Sequence, residues 1–280
     1  MIGTEAGFAR APRTTAEVGL TMNIVVLVKQ VPDSGSERKL DPQDFTVARA
    51  TADNVINEMD EYAIEEALTV KEASGGEVTV LTVGPATATD AIRKALSMGA
   101  DKAVHVVDDA IHGSCAVQTS AVIAAALQQL EFDLVLCGAE ATDAQLSVMP
   151  ALLAERLGLP QLSGARKLTV EGSMAKIERQ TDGGYWEVEA PLPAIVSTWD
   201  TINEPRYPSF KGIMAAKKKP VQTLTLADLG IDPGTVGLGS ATSKVVDFAG
   251  RPPKGQGVKV PDEGDGAEKL VGFLAAQKIV

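Results

Sequence analysis

Four short runs of β-branched and aliphatic residues constrain this chain most: Ile24-Val-Val-Leu-Val28, Val78-Thr-Val-Leu-Thr-Val83, Ala103-Val-His-Val-Val107 and Leu134-Val-Leu-Cys137. Each is too apolar to leave one face in water, and strands buried on both faces belong to a sheet covered by helices. The segments between them supply the helices. Residues 58–72, 87–98 and 116–130 carry helical periodicity, and a fourth helical pattern begins near Leu146. Strand and helix alternating in this way is the signature of parallel βαβ units. In the first helical segment Tyr62, Ala63, Ala67 and Val70 form an apolar stripe while Glu65, Glu66 and Glu72 face elsewhere. Gly75-Gly76 ends it, because glycine accepts the left-handed cap conformation.

The pattern changes after Pro160. Lys167-Leu-Thr-Val170, Ala175-Lys-Ile-Glu-Arg179 and Tyr185-Trp-Glu-Val-Glu189 alternate polar and apolar residues around the turns Glu171-Gly-Ser and Asp182-Gly-Gly, which reads as antiparallel hairpins. The apolar run Ala194-Ile-Val-Ser-Thr198 then rejoins the sheet. From Asp200 onward proline, glycine and lysine take over, and only residues 224–229 and 268–277 offer short helical patterns. Such a tail has too little apolar content for a core of its own and is expected to lie against another surface. The expected division is therefore an α/β domain over residues 22–200 and an appended arm over 201–280. Residues 1–21 hold Arg10 and Arg13 but no apolar core of the kind a secretion signal needs. They read as a disordered extension or an upstream-start artefact, since Met22 would itself serve as a start residue.

Charge and composition exclude several functions. The net charge of -11 repels nucleic acid and anionic lipid, and aromatics at 4% provide no platform for stacked bases. No window approaches the roughly 18 apolar residues of a membrane span. The two cysteines, Cys115 and Cys137, lie far apart and form no ligand-spaced cluster with His105 and His112. A metal site is not expected. Cys137 reads as a small buried hydrophobe in a reducing, cytoplasmic setting.

In an open parallel sheet, ligands bind beyond the carboxyl ends of the strands, near the switch in strand order. Those ends are Leu27-Val-Lys-Gln-Val-Pro-Asp33, Gly84-Pro85-Ala86 and Gly138-Ala-Glu-Ala-Thr-Asp143. Each precedes a loop or helix start, where backbone N–H groups and the helix dipole can hold a phosphate. Neither the GxGxxG fingerprint nor the GxxxxGK[ST] phosphate loop is present, which argues against a nicotinamide dehydrogenase. Taken singly, Gly84-Pro85 also reads as a plain tight turn and Thr142 or Asp143 as helix caps. A catalytic pair of His112 and Cys115 is a weak reading, and the chain lacks general acid-base equipment, as expected of a binder or carrier.

The segment from Thr201 to Lys219 is broken by Pro205 and Pro208 and reads as an irregular loop. It carries Arg206, Tyr207 and Phe210, then Lys211 and the run Lys217, Lys218 and Lys219. Arginine and aromatics on an exposed loop have the composition of an interface anchor. A loop folded back with Phe210 in the core and the lysines solvated fits equally well.

Four stretches carry a family likeness: Met22-Asn-Ile-Val-Val-Leu-Val-Lys-Gln-Val-Pro-Asp33, Ile92-Arg-Lys-Ala-Leu-Ser-Met-Gly-Ala-Asp101, Asn203-Glu-Pro-Arg-Tyr207 and Gly212-Ile-Met-Ala-Ala-Lys-Lys-Lys219. Together they resemble the β subunit of electron-transfer flavoproteins, in its actinobacterial branch, over about residues 22–280. The resemblance implies an adenine-nucleotide-hydrolase-like, Rossmann-like α/β fold: a mostly parallel sheet with flanking helices, antiparallel hairpins and an extended C-terminal arm. It implies no enzyme but an electron carrier, active as a heterodimer with an α subunit that holds most of the FAD and is wrapped by residues 201–280. It also implies a structural AMP, in a pocket involving Leu27, then Asn57, Glu58, Met59 and Asp60, then Val83, and finally Gly138, Ala139, Glu140, Ala141, Thr142 and Asp143.

The phosphate segment departs from many relatives: where they have Asp-rich, Thr-Gln or glycine-rich runs, this chain has Ala144-Gln-Leu-Ser-Val-Met149. Ser147 and backbone N–H groups are left as phosphate donors. Met59 stands where some relatives place an aromatic residue near the flavin. By the same resemblance the segment 203–219 grips acyl-CoA-type dehydrogenases, with Phe210 as apolar anchor and the lysines meeting an acidic surface. The electrons then pass to a membrane quinone oxidoreductase. Two rivals are an electron-bifurcating β subunit with a second FAD and a stand-alone nucleotide-binding stress-type protein; the latter normally shows clustered glycines after the fourth strand, which are missing here.

Overall fold

The structure, a computed structural model, describes residues 21–280 apart from Glu37, Arg251 and Val258. The extension expected over residues 1–21 lies outside the described residues except for Thr21. Strand β1 (Met22–Leu27) leads into a short antiparallel pair, β2 (Gln30–Pro32) and β3 (Asn54–Ile56). There follow α1 (Glu58–Ser74), β4 (Gly76–Val83), α2 (Thr89–Met98), β5 (Lys102–Val106), α3 (Ala116–Gln128), β6 (Leu134–Gly138) and α4 (Met149–Leu157). Three longer strands, β7 (Gln161–Glu171), β8 (Met174–Thr181) and β9 (Gly184–Pro191), precede β10 (Ala194–Thr198). Then come α5 (Phe210–Ala216), β11 (Val221–Leu224) and, near the C-terminus, α6 (Gly266–Ala276).

The main sheet has nine strands in the order β11-β5-β4-β1-β6-β10-β7-β8-β9. Every neighbouring pair from β11 to β7 is parallel, while β7-β8 and β8-β9 are antiparallel. The α/β reading and the hairpins thus hold, and the run 194–198 does rejoin the sheet, between β6 and β7.

Period-two alternation along the buried strands divides the core into two layers. Ile24, Val26, Val78 and Val80 pack with Ile64 and Ala67 of α1 and with Ile92 and Ala95 of α2. Val25, Leu81, Val104 and Val135 pack with Val122 and Leu127 of α3 and Leu153 of α4. Ile24, Leu134, Leu136 and Ile195 are almost wholly buried, and each such side chain stabilises the fold by about 1.5–3 kcal/mol. The apolar character of these strands is therefore what holds the sheet centrally between helices.

Several boundaries differ from the sequence reading. α4 begins at Met149 rather than near Leu146, because Gln145 and Ser147 adopt positive φ values of 51° and 53° that no helix allows. Residues 224–229 are not helical: Val221–Leu224 extends the sheet edge on β5, and Leu224 and Leu226 are buried in the second core layer. These two leucines therefore need no outside surface. Within the segment expected to be irregular, residues 210–216 are helical, started by Ser209, whose hydroxyl accepts the Gly212 N–H at 3.0 Å.

The chain divides into two compact units at Val245 and Val246. The sheet and all the residues discussed as sites belong to the first. The second contains α6, whose Leu270, Val271 and Phe273 find no core within their own unit. No helix among the described residues is long and apolar enough to cross a membrane.

Candidate functional site

The strand order reverses about β1. The chain leaves β1 for β4 on one side, while β6 lies on the other. Leu27 ends β1 and Gly138 ends β6, so the two carboxyl ends open side by side at the point where α/β sheets place ligands. Val83 ends β4 next to them.

Asn57 ties these ends together. It precedes α1, is 1% exposed, and its backbone N–H donates to the Lys29 carbonyl at 2.9 Å. Its side-chain amide donates to Asp60 Oδ1 at 2.9 Å and to the Glu140 carbonyl at 3.0 Å, while its oxygen accepts the Thr142 N–H at 3.0 Å. Asp60 in turn accepts the Lys29 N–H at 2.8 Å. One asparagine thus joins the exits of β1 and β6 to the first turn of α1. Gly138 permits the approach: a Cβ there would lie 2.7 Å from both Asp60 Oδ1 and Met59 Cβ.

The charges at this end are set by burial and by the loop between β2 and β3. Burial pushes the Asp60 carboxyl up to about 7, against the opposing hydrogen bonds from Asn57, Lys29 and Gly138. Burial pushes the neighbouring Cys137 thiol upward as well. For Asp143 burial acts in the same direction, but Lys29 and Arg49 outweigh it and hold the carboxyl below its usual range. Lys29 Nζ pairs with Asp143 Oδ1 at 2.7 Å, Arg49 pairs with Oδ2, and Arg38 donates to the Thr142 carbonyl at 2.6 Å. Lys29 belongs to the strand end named in the sequence, whereas Arg38 and Arg49 have no signal there beyond a basic cluster after the first strand of an otherwise acidic chain.

The structure brings together Leu27, Asn57, Met59, Asp60, Gly138 and the loop Ala139, Glu140, Ala141, Thr142 and Asp143. Glu58 turns outward and accepts the Ser34 hydroxyl at 3.1 Å. Ser147 donates to Glu140 Oε2 at 2.9 Å, so its hydroxyl is committed within the loop itself.

On the segment after β10, Tyr207 and Phe210 are 92% and 80% exposed. Phe210 therefore does not fill the core. Ile213 and Met214 extend the same apolar patch on α5. Arg206 and Lys219 are engaged internally: Arg206 pairs with Glu65 and Glu72, and Lys219 Nζ donates to the Leu96 and Ala100 carbonyls at the end of α2. Lys217 and Lys218 are exposed.

A family model described as "Electron transfer flavoprotein domain" matches residues 44–229. The electron transfer flavoprotein subunit beta of Mycobacterium leprae is 54% identical over 264 residues, which cover 92% of this chain and 99% of the relative. The subunit of the same name from Mycobacterium tuberculosis shows the same identity and coverage. The chain belongs to the electron transfer flavoprotein family, as a β-type subunit. The corresponding subunit of Thermoanaerobacterium thermosaccharolyticum is 39% identical over 226 residues, or 80% of this chain and 86% of the relative. The higher mycobacterial identity agrees with the actinobacterial branch.

Beyond these two regions, His112 and Cys115 take separate partners among the described residues. His112 Nε2 lies 2.7 Å from Asp44 Oδ2, and Cys115 Sγ lies 3.4 Å from the Thr242 hydroxyl. His105 is buried in β5, where loss of solvent lowers its pKa.

Proposed function

We propose that this chain is the β subunit of a cytoplasmic heterodimeric electron carrier. It takes electrons from acyl-CoA-type dehydrogenases and delivers them to a membrane quinone oxidoreductase. Its partner α subunit holds most of the FAD, and the β chain holds an AMP of its own. FAD supplies the electron chemistry when bound. The β chain contributes binding and docking.

The observation that carries the nucleotide reading is the Asn57 junction beneath the 139–148 loop. The donor set fits the phosphate of a nucleotide. Gln145 and Ser147 alternate in backbone hand with their neighbours, an arrangement that turns the N–H groups of residues 146–148 toward one concave face, while those of Ala144 and Gln145 donate to the Ala141 carbonyl. The loop then enters the amino end of α4, where Pro150 has no N–H and Leu152 donates to the Val148 carbonyl, which leaves the Met149 and Ala151 N–H groups without an acceptor in their own helix. Lys29, Arg38 and Arg49 surround the same loop with positive charge. Since Ser147 is bonded to Glu140, the phosphate donors in this reading are the backbone and those N–H groups of Lys29, Arg38 and Arg49 that Asp143 and the Thr142 carbonyl do not take. Met59, half-buried against Gly138, occupies the position that resemblance places toward the flavin.

The docking reading rests on Tyr207 and Phe210, which an isolated chain gains nothing by exposing. Lys211, Lys217 and Lys218 surround them with positive charge, which raises encounter rate with an acidic partner more than affinity. Residues 246–280, with an apolar helix that lacks a core of its own, act as an arm covering the α subunit.

Phe210→Ala in the assembled heterodimer tests the docking part. The expected result is slower reduction by an acyl-CoA dehydrogenase with FAD content unchanged, whereas equal rates for variant and wild type refute it.

A further inference from the structure

We infer that Glu65 and Glu66 of α1 are positioning residues that set the docking surface by gripping the segment 203–206 from beneath. The inference rests on the docking reading above and adds to it what holds the anchor in place.

Pro205 and Pro208 deprive the segment of ladder donors, so it cannot fix its own shape. α1 does so instead. Glu65 Oε2 accepts both the backbone N–H of Arg206, at 3.0 Å, and its Nε, at 2.8 Å, while Oε1 accepts Nη2 at 2.8 Å. One carboxylate therefore clamps the main chain and the side chain of the same residue. Glu72, two turns further along the helix, accepts from Nη1 at 2.6 Å and Nη2 at 3.2 Å. On the other side of Pro205, Asn203 Nδ2 donates to the Tyr62 carbonyl and to Glu66 Oε2, each at 3.1 Å.

Glu65 and Glu66 are only 8% and 7% exposed. Burying two adjacent carboxylates is costly unless each is hydrogen-bonded, and burial does raise the Glu66 pKa. For stability alone an apolar pair would serve this helix face as well or better. What the glutamates provide is direction: the residue after the clamped Arg206 is Tyr207, which projects almost fully into solvent. The far end of the surface is fixed separately, where Arg93 Nη1 donates to the Ala216 carbonyl at the end of α5 at 2.6 Å. An anchor held in its bound direction beforehand loses less freedom on docking. The first turn of α1 also carries Asp60, directly after the capping Asn57, and a helix rises about 1.5 Å per residue. The same rigid element thus sets the spacing between the strand-end site and the docking surface.

The test uses the FAD-containing heterodimer, reduced by an acyl-CoA dehydrogenase supplied with its acyl-CoA, comparing wild type, Glu65→Gln and Phe210→Ala. Glu65→Gln is expected to raise KM for the carrier about tenfold, the scale of one lost charge-assisted contact, with kcat and FAD content unchanged. An unchanged KM for Glu65→Gln, with a raised KM for Phe210→Ala, overturns the positioning role and leaves docking intact. An unchanged KM for Phe210→Ala overturns both. If Glu65→Gln does not assemble, Arg206→Lys keeps the charge but loses the fork; a raised KM at constant kcat then supports the inference, and an unchanged KM overturns it.

Discussion

Asn57 and Asp60 form the junction on which the strand-end site is built, with the Asn57 amide 2.9 Å from Asp60 Oδ1 and both residues buried. Since Asn57 also binds Glu140 and Thr142, the pair fixes the loop that follows β6 relative to the loop that follows β1. A ligand spanning the two loops meets a preformed frame.

Asn57→Ala leaves the Thr142 N–H, the Glu140 carbonyl and Asp60 each short of a partner. Stranding buried polar groups costs about 1–3 kcal/mol apiece when they cannot reach water, so a loss of about 2–4 kcal/mol is expected. Urea unfolding of the variant measures it, and AMP content of the purified heterodimer should fall in parallel.

The pH dependence follows from Asp60. Its carboxyl titrates at about 7 in the fold, above the ordinary 3.8, so the folded chain keeps a proton that the unfolded chain releases in between. Stability from this group is full below about pH 4 and is lost as pH rises through 7. Asp60→Asn removes the titration. The wild type should therefore lose stability relative to Asp60→Asn between pH 4 and 7, and a difference that stays flat across that window contradicts the assignment.

Gly138→Ala places a Cβ 2.7 Å from Asp60 Oδ1 and from Met59 Cβ. Neither the first turn of α1 nor β6 can give way without disturbing the core, so overpacking of about 1–3 kcal/mol is expected. Thermal melting and AMP retention both report it.

Gly212→Ala tests the seating of α5. The added Cβ would lie 2.5 Å from the Ser97 carbonyl of α2, forcing the docking helix outward. KM for the dehydrogenase reaction should rise several-fold while FAD content holds.

The parallel sheet was legible because its strands are apolar on both faces, and the strand-end location of the site follows from that topology. What escaped depends on contacts distant in sequence. Val221–Leu224 is a strand because β5 offers it an edge, and its own residues read as well as part of a short helix. Glu65 and Glu66 read as facing away from the apolar stripe, yet both are buried, against a segment 141 and 137 residues further along the chain. Lys29, Arg38 and Arg49 converge only after the loop folds over Asp143 and Thr142. The α5 helix had a visible start in Ser209, which the flanking prolines overshadowed.

The central claim, a β subunit with a nucleotide of its own at the strand ends and the flavin held chiefly by its partner, is tested most directly by cofactor stoichiometry. The visible spectrum of the purified heterodimer, with chromatography of the released nucleotides, should give one FAD and one AMP per heterodimer. Two FAD per heterodimer, or one FAD without AMP, would contradict it.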